Sequence, residues 1–387
     1  MTPPADAARP PADAARPADA ARPADAAGPA DPAGPADAGG PADTARPPAG
    51  PADAARPTGA PEVLQLTAFA ATPFGGNPAG VVLDASGLDD ATMQALAAGL
   101  GHAETAFVVD PAVGGDPRHV RVRYFSPGAE VPFCGHATVA TAVALAERLG
   151  SGPLRFETAV GPVTLETRGG EGDAPRGDDP APGTPDDAGT AGGDGRGGAA
   201  RASGPVTASF TSVDPVVRDL DDALADRLLA LLGLGRDDLD ERWPLREAYA
   251  GNRHPVVAVR DRATFDRFGF EPAELRALMD EAGWAGTVTV VHAEPVPEAR
   301  PAPGRSAPPL VVQARNLFPV GTITEDPATG SAAASLGGYL RALGLVTAPA
   351  RVVVHQGEHV GRPSVLVVDV PATGGITVTG TATPYVG

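Results

Sequence analysis

After Met1, no large apolar residue occurs until Val63. From there apolar and polar positions alternate, and the pattern predicts a strand over 63–69. A turn follows at Phe74-Gly75-Gly76-Asn77-Pro78, then a second strand over 79–83. Asp89 or Asp90 offers an N-cap for a helix reaching about Leu100. Runs at 105–109 and 120–125 predict strands, 135–149 predicts an Ala-rich helix, and 154–158 with 163–167 predicts a hairpin. Beyond a long polar stretch the periodicity resumes. Strands are predicted at 206–210, 255–259, 287–292 and 310–316, and helices at 220–234, 271–282 and 330–343. Three more strands, 350–355, 364–370 and 376–382, close the chain. Many strands with few helices indicate an α+β fold and not a doubly wound sheet.

The unpatterned stretches divide the chain. Residues 1–61 repeat a unit close to Pro-Ala-Asp-Ala-Ala-Arg and offer nothing large and apolar to offset the entropy of ordering, so a disordered tail is expected. Residues 168–204, rich in Gly, Asp and Pro, read as a disordered insertion or linker. This leaves two half-domains, 62–167 and 205–387, the last strands of the second being free to return to the first.

Composition removes several chemistries. The 387 residues carry a net charge of −18, which argues against a basic surface for nucleic acid or an anionic membrane. All 30 basic residues are Arg, so a Schiff-base lysine and a P-loop lysine are both excluded. One cysteine, Cys134, excludes an internal disulfide, a multi-cysteine zinc cluster and any two-thiol mechanism. No apolar run approaches a membrane span of about 20 residues, and no signal peptide opens the chain, so the expected compartment is the cytoplasm. Gly75-Gly76 lacks the spaced third glycine of a dinucleotide fingerprint, and His355 with His359 does not form a zinc-type helical pair. No metal site is expected from these patterns.

Two stretches resemble each other: Glu130-Val131-Pro132-Phe133-Cys134-Gly135-His136-Ala137-Thr138 and Glu325-Asp326-Pro327-Ala328-Thr329-Gly330-Ser331-Ala332-Ala333. In each, a Glu precedes a Gly by five positions, and a Gly-polar-Ala step opens a small-residue helix. Phe125-Ser126-Pro127 and Leu317-Phe318-Pro319 precede them, which indicates an internal duplication. A helix start leaves amide N–H groups unpaired and carries partial positive charge. Two starts meeting at Gly135 and Gly330 would make an anion site suited to a carboxylate. The plainer reading is that these glycines serve close packing alone.

At this point the sequence resembles a known family. Gly101-His102-Ala103-Glu104-Thr105-Ala106-Phe107, Phe133-Cys134-Gly135-His136-Ala137-Thr138 and Glu325-Asp326-Pro327-Ala328-Thr329-Gly330-Ser331-Ala332 look like the signature blocks of the phenazine-biosynthesis isomerases, the PhzF-like proteins. Gly76-Asn77-Pro78-Ala79 and Gln356-Gly357-Glu358-His359-Val360-Gly361-Arg362-Pro363-Ser364 extend the likeness. The resemblance implies the diaminopimelate-epimerase-like fold: two similar domains, each a curled sheet around a central helix, with the active site in the cleft between them. It implies a cofactor-independent isomerase that moves a proton between carbons of a small unsaturated or amino carboxylic acid. Glu104 matches the family's acid/base, His136 its site histidine, and Asp326 and Ser331 its aspartate and serine. Asn77, Gly135 and Gly330 complete the expected substrate contacts. Members of the family often dimerise, which leaves a homodimer open.

The residues themselves are consistent with such chemistry. Proton transfer at carbon needs a base near the C–H and a means of stabilising the anion. A Glu beside the apolar run 106–109 could have its pKa raised by desolvation. Cys134 faces Thr329 in the duplication, so a symmetric two-cysteine racemase is excluded, and Cys134 itself is expected to be a small buried residue lining the cleft. The alternative is a non-catalytic small-carboxylate binder on the same fold, which would keep the helix starts and need no base.

Overall fold

Leu64–Ala68 (β1), Asn77–Val82 (β2), Glu104–Asp110 (β3) and His119–Phe125 (β4) form as the alternation predicts. A computed structural model describes residues 61–169, 204–294, 309–320 and 323–387. The repeat tail and most of the 168–204 insertion lie outside the described residues. Between β2 and β3 runs helix α1 (Asp90–Leu100), capped by the Asp89 carboxylate on Thr92 N–H at 2.8 Å and ended by Gly101 at φ +69°. Asp89, not Asp90, is thus the cap.

After β4 come the two-residue strand β5 (Glu130–Val131), helix α2 (Gly135–Leu149) and the hairpin β6 (Gly152–Thr158)–β7 (Gly161–Arg168). Beyond the insertion, β8 (Thr207–Thr211) pairs with β7, and the final strand β17 (Thr377–Pro384) pairs with both β8 and β1. The order β1-β2-β3-β4-β6-β7-β8-β17 therefore closes on itself. β8 completes the first sheet, so the chain crosses to the second sheet after Thr211 and not at 205.

The second sheet takes β9 (Val216–Asp219), β10 (Arg246–Tyr249), β11 (Arg253–Ala258), β12 (Val288–Ala293), β13 (Leu310–Val320), β14 (Ile323–Asp326), β15 (Ala350–Gln356) and β16 (Ser364–Val370). Helix α3 (Asp222–Leu231) follows β9, and α4 (Arg262–Arg267) with α5 (Pro272–Ala282) spans the parallel β11–β12 crossover. Helix α6 (Gly330–Ala342) links β14 to β15. α3 stops short of the expected 234 because Gly233 takes φ +63°. β9, β10 and α4, four to six residues each, are too short to show a period and escape the sequence reading.

Each sheet curls around one helix. α2 packs on β1, β2, β3, β7, β8 and β17, and α6 on β9, β10, β11, β16 and β17. Both helices are buried over most of their length, which their uniformly small, weakly polar composition allows. Thr138 and Thr141 of α2 satisfy their buried hydroxyls on the carbonyls of Cys134 and Ala137, both at 2.7 Å. In α6, Gly337 and Gly338 leave room for the sheet and for Pro215 to close in. Among the described residues, no helix is long and apolar enough to cross a membrane.

Two Gly→Ala substitutions separate propensity from packing. Each gains about 0.5–1 kcal/mol of helix preference. At Gly99 of α1 a Cβ would meet nothing within 4 Å, so Gly99→Ala should raise the urea midpoint. At Gly337 a Cβ would lie 2.7 Å from Ile376 Cγ2 and 3.0 Å from Val368 Cγ1. Overpacking costs about 1–3 kcal/mol, which outweighs the gain, so Gly337→Ala should lower the midpoint.

Candidate active site

The duplicated motif has a structural cause. In the first half, Glu130 of β5 pairs with Phe125 of β4, and Arg123 of β4 holds both Glu130 oxygens at 2.7 Å. In the second, Glu325 of β14 pairs with Leu317 of β13, and Arg315 of β13 grips Glu325 with Nε at 3.2 Å and with Nη2. Arg315 also donates to the carbonyls of Phe265 and Phe268 and stacks over the Phe268 ring. The recurring Glu therefore pins a short return strand against its neighbour and fixes where the following helix starts. By register, Leu317 and not Phe318 is the counterpart of Phe125.

Those helix starts face one another. A Cβ built on Gly135 would lie 3.8 Å from Gly330 Cα, and one on Gly330 would lie 2.9 Å from Phe210 Cζ. Neither N-cap, Cys134 or Thr329, bonds its own helix through its side chain. Both helix starts border a cleft of about 1210 Å³ between the two sheets, and a helix start leaves amide N–H groups without intrahelical partners. Glu104, Cys134, Gly135, His136, Asp326, Gly330 and Ser331 all line it.

Glu104 opens β3 beside Ala79 of β2, at the rim of the first sheet. Its Oε2 lies 3.5 Å from His136 Nε2, and the Cys134 thiol donates to it at 3.4 Å. Cys134 Sγ is also 3.3 Å from His136 Nδ1. Burial first, and then the Glu104 carboxylate, push the thiol well above its ordinary pKa, so Cys134 stays protonated. The donor atoms of Glu104, Cys134 and His136 lie within 4.8 Å of one another and could surround a cation. A thiolate ligand would first have to give up the proton that this environment retains.

Asp326 closes the opposite wall. Thr329 Oγ1 donates to its Oδ2 at 2.5 Å, and Asn77 Nδ2 to its Oδ1 at 2.6 Å. Gln356 braces the turn, donating to Asp326 O at 2.6 Å and Thr329 Oγ1 at 2.9 Å while accepting from Thr329 N–H at 3.2 Å. Burial raises the Asp326 pKa to about 6, against the attraction of His136 and the Thr329 hydrogen bond. A carboxyl held there exchanges protons near neutrality.

Asn77, an expected substrate contact, is set behind the other site residues. It does not line the cleft. It is 1% exposed, and its amide nitrogen sits between Asp326, Ala328 O at 3.1 Å and His136 Nδ1 at 3.1 Å. It links the two sides of the site from behind, bonding His136 on one and Asp326 on the other. Ser331, at the start of α6, meets an unforeseen partner: its Oγ is 3.1 Å from Nε2 of His254 in β11. His254, Thr287 and Gln356 were missed as site residues. For Gln356 alone a sequence signal existed, because it opens the last resembling block.

Strand register makes the two halves comparable residue by residue. Thr105 pairs with Phe125 as Val288 pairs with Leu317, so Glu104 corresponds to Thr287. Val81 pairs with Ala106 as Val256 pairs with Thr289, so Ala79 corresponds to His254. With His136 matching Ser331 and Cys134 matching Thr329, the first half carries acid/base side chains at these three positions where the second half carries hydroxyls; Asp326, from the second half, lies outside the matched pairs.

Comparison with known proteins agrees with this architecture. The sequence matches the family described as phenazine biosynthesis-like protein over residues 66–184 and 202–386. It is 28% identical over 333 residues to the uncharacterized isomerase YddE of Escherichia coli K12, covering 83% of this chain and 95% of that protein. It is also 28% identical over 305 residues to the trans-2,3-dihydro-3-hydroxyanthranilate isomerase of Pseudomonas chlororaphis, covering 78% and 87%. The crystal structure of the Bacillus anthracis phenazine biosynthesis protein of the PhzF family superposes with a TM-score of 0.61 at 23% identity, covering 84% of this chain and 96% of that one. The fold is thus the α+β, diaminopimelate-epimerase-like fold that the resemblance implied.

Asp326 gives the site a pH signature. A carboxyl raised from 3.8 to about 6 binds its proton more tightly in the folded than in the unfolded chain. Its contribution to stability is therefore fully present below about pH 4 and is lost as pH rises through about 6. Measured against Asp326→Asn by urea unfolding, the wild type should lose about 2 kcal/mol of relative stability between pH 4 and 7. A difference independent of pH would show that the carboxyl titrates in the ordinary range.

Proposed function

The chain belongs to the phenazine biosynthesis-like protein family and is an isomerase, and we propose that it shifts a proton between carbons of a small unsaturated or amino carboxylic acid, without a cofactor and with Glu104 as the base. The observation that carries this reading is one juxtaposition. A carboxylate, Glu104, stands in the same cleft as two facing helix starts, neither closed by an N-cap side chain bond.

The chemistry follows from that placement. The substrate carboxylate sits at the N–H groups of α2 and α6, where dipole and hydrogen bonds favour negative charge. Glu104 then takes the proton from the adjacent carbon. The electron pair delocalises into the conjugated system and the carboxylate, against the same N–H groups, so the developing anion is stabilised where it forms. His136 Nε2, 3.5 Å from Glu104 Oε2, can share the abstracted proton. Either Glu104 or the Asp326 carboxyl returns a proton at a second carbon, and the net change is an allylic shift with atoms and electrons conserved. Cys134 acts as a donor to Glu104 and not as a base. The Pseudomonas chlororaphis relative is named for a dihydro-hydroxyanthranilate, an acid in which a carboxylate is conjugated with ring double bonds. Acids of this class fit the anion site and the base together.

The test is proton NMR in D2O across a panel of small acids, including a dihydro-hydroxyanthranilic acid and several amino acids. Wild type should place deuterium at one carbon. Glu104→Gln should slow this by about 10²–10⁴-fold with an unchanged circular dichroism spectrum. Exhaustive dialysis against EDTA should leave the rate unchanged. Binding without exchange in both proteins would make this a carboxylate binder, and loss of exchange on chelation would place a metal at the Glu104, Cys134 and His136 set.

A further inference from the structure

His254 is fully buried in β11, yet its ring borders the cleft. Nε2 meets Ser331 Oγ at 3.1 Å. Nδ1 is enclosed by a single residue: Thr287 O at 3.0 Å, Thr287 Oγ1 at 3.1 Å and Thr287 N–H at 3.0 Å. Thr287 is fixed in turn, since its hydroxyl and that of Thr289 both donate to Asn316 Oδ1, at 2.6 and 2.8 Å. The space for the ring is built by an omitted side chain. A Cβ on Gly286 would lie 2.5 Å from His254 Cε1. An imidazole this enclosed, held by three elements, is more than filler for a core that alanine or valine could fill.

Register gives the cluster a meaning. Thr287 occupies the position of Glu104, and Ser331 that of His136. The contact between Glu104 and His136 in the first half is replaced in the second by Thr287–His254–Ser331, the imidazole rising from the position that Ala79 holds in the first half. We propose that His254 is a positioning residue of the active site: anchored on Thr287, it fixes the Ser331 hydroxyl at the cleft wall opposite Glu104. This rests on the isomerase reading above, in which Ser331 faces the substrate. Burial lowers the His254 pKa to about 4, so the ring remains neutral through the working range and acts by hydrogen bonding alone. Without it, a serine in the first turn of a helix is free to rotate among the open backbone groups there, and its bond to the substrate is no longer set in advance.

Two isosteric substitutions distinguish this role from a fold anchor. His254→Gln keeps a polar atom near Nε2, towards Ser331. His254→Asn keeps one near Nδ1, towards Thr287, and abandons Ser331. In the D2O exchange assay with the full chain, His254→Asn should lower kcat as much as Ser331→Ala does, about tenfold, the worth of one directed hydrogen bond. The double variant should be no slower than Ser331→Ala alone, and His254→Gln should stay within about threefold of wild type. Equal losses in Asn and Gln, or losses that multiply in the double variant, overturn the proposal. Side-chain ¹⁵N NMR provides a readout that needs neither turnover nor a folded Asn variant. Ser331→Ala should shift the His254 Nε2 resonance and leave Nδ1 in place, and an unmoved Nε2 overturns the proposal. Wild type that exchanges no proton with any acid sinks the isomerase chemistry, while the ¹⁵N comparison still decides whether His254 holds Ser331.

Discussion

The molecule is organised around the close approach of two helix starts. α2 and α6 meet at Gly135 and Gly330, with the Phe210 ring packed where any side chain on Gly330 would have to go. This contact has two effects at once. It brings the partial positive ends of both helices to one point against their mutual repulsion. It also leaves the first-turn amides without side-chain caps, so they require a ligand or water to satisfy them. The curled sheets serve this arrangement. Each surrounds one helix with apolar side chains, and small residues along both helices let the walls come close enough to hold the geometry.

Around that point the protein tolerates groups that burial would ordinarily reject. Asp326 and His136 are held by Asn77 and Thr329, with Gln356 bracing the turn behind. A buried carboxyl without such partners would remain protonated, and one fully paired with an arginine would be a fixed anion. Arg315 takes the neighbouring Glu325 instead, which leaves Asp326 on the cleft side with a pKa near the middle of the range. Two adjacent acids thus part into one structural and one titratable group, and the direction of the strand decides which is which.

Much of this was legible in the sequence because it depends on local rules. The helix over Gly135–Leu149 and the strand over Ser364–Val370 were bounded correctly, since caps and alternation are local signals. The duplicated Glu-to-Gly spacing located the helix starts, and the composition of the helices announced their burial. What escaped was whatever depends on distant pairing. β8 reads as part of the second half until its hydrogen bonds to β7 and β17 are seen. Asn77 looks like an exposed turn residue, but the fold brings Asp326 to it from 249 positions away. His254 carries no motif at all. Its neighbours Thr287 and Ser331 lie 33 and 77 residues on, and only the β11–β12 crossover and the start of α6 bring them together.

The duplication also explains why the two halves are no longer interchangeable. A symmetric pair of bases would need the same titratable group at matching positions, and each matching pair here has diverged: Cys134 against Thr329, Glu104 against Thr287, His136 against Ser331. At these three positions the first half carries acid/base side chains and the second half only hydroxyls. The Cys134 thiol, raised well above its ordinary range by burial and by Glu104, has left that role to the carboxylate beside it. The matched positions therefore offer no pair of like bases, and the second titratable group of the cleft, Asp326, comes from outside those pairs.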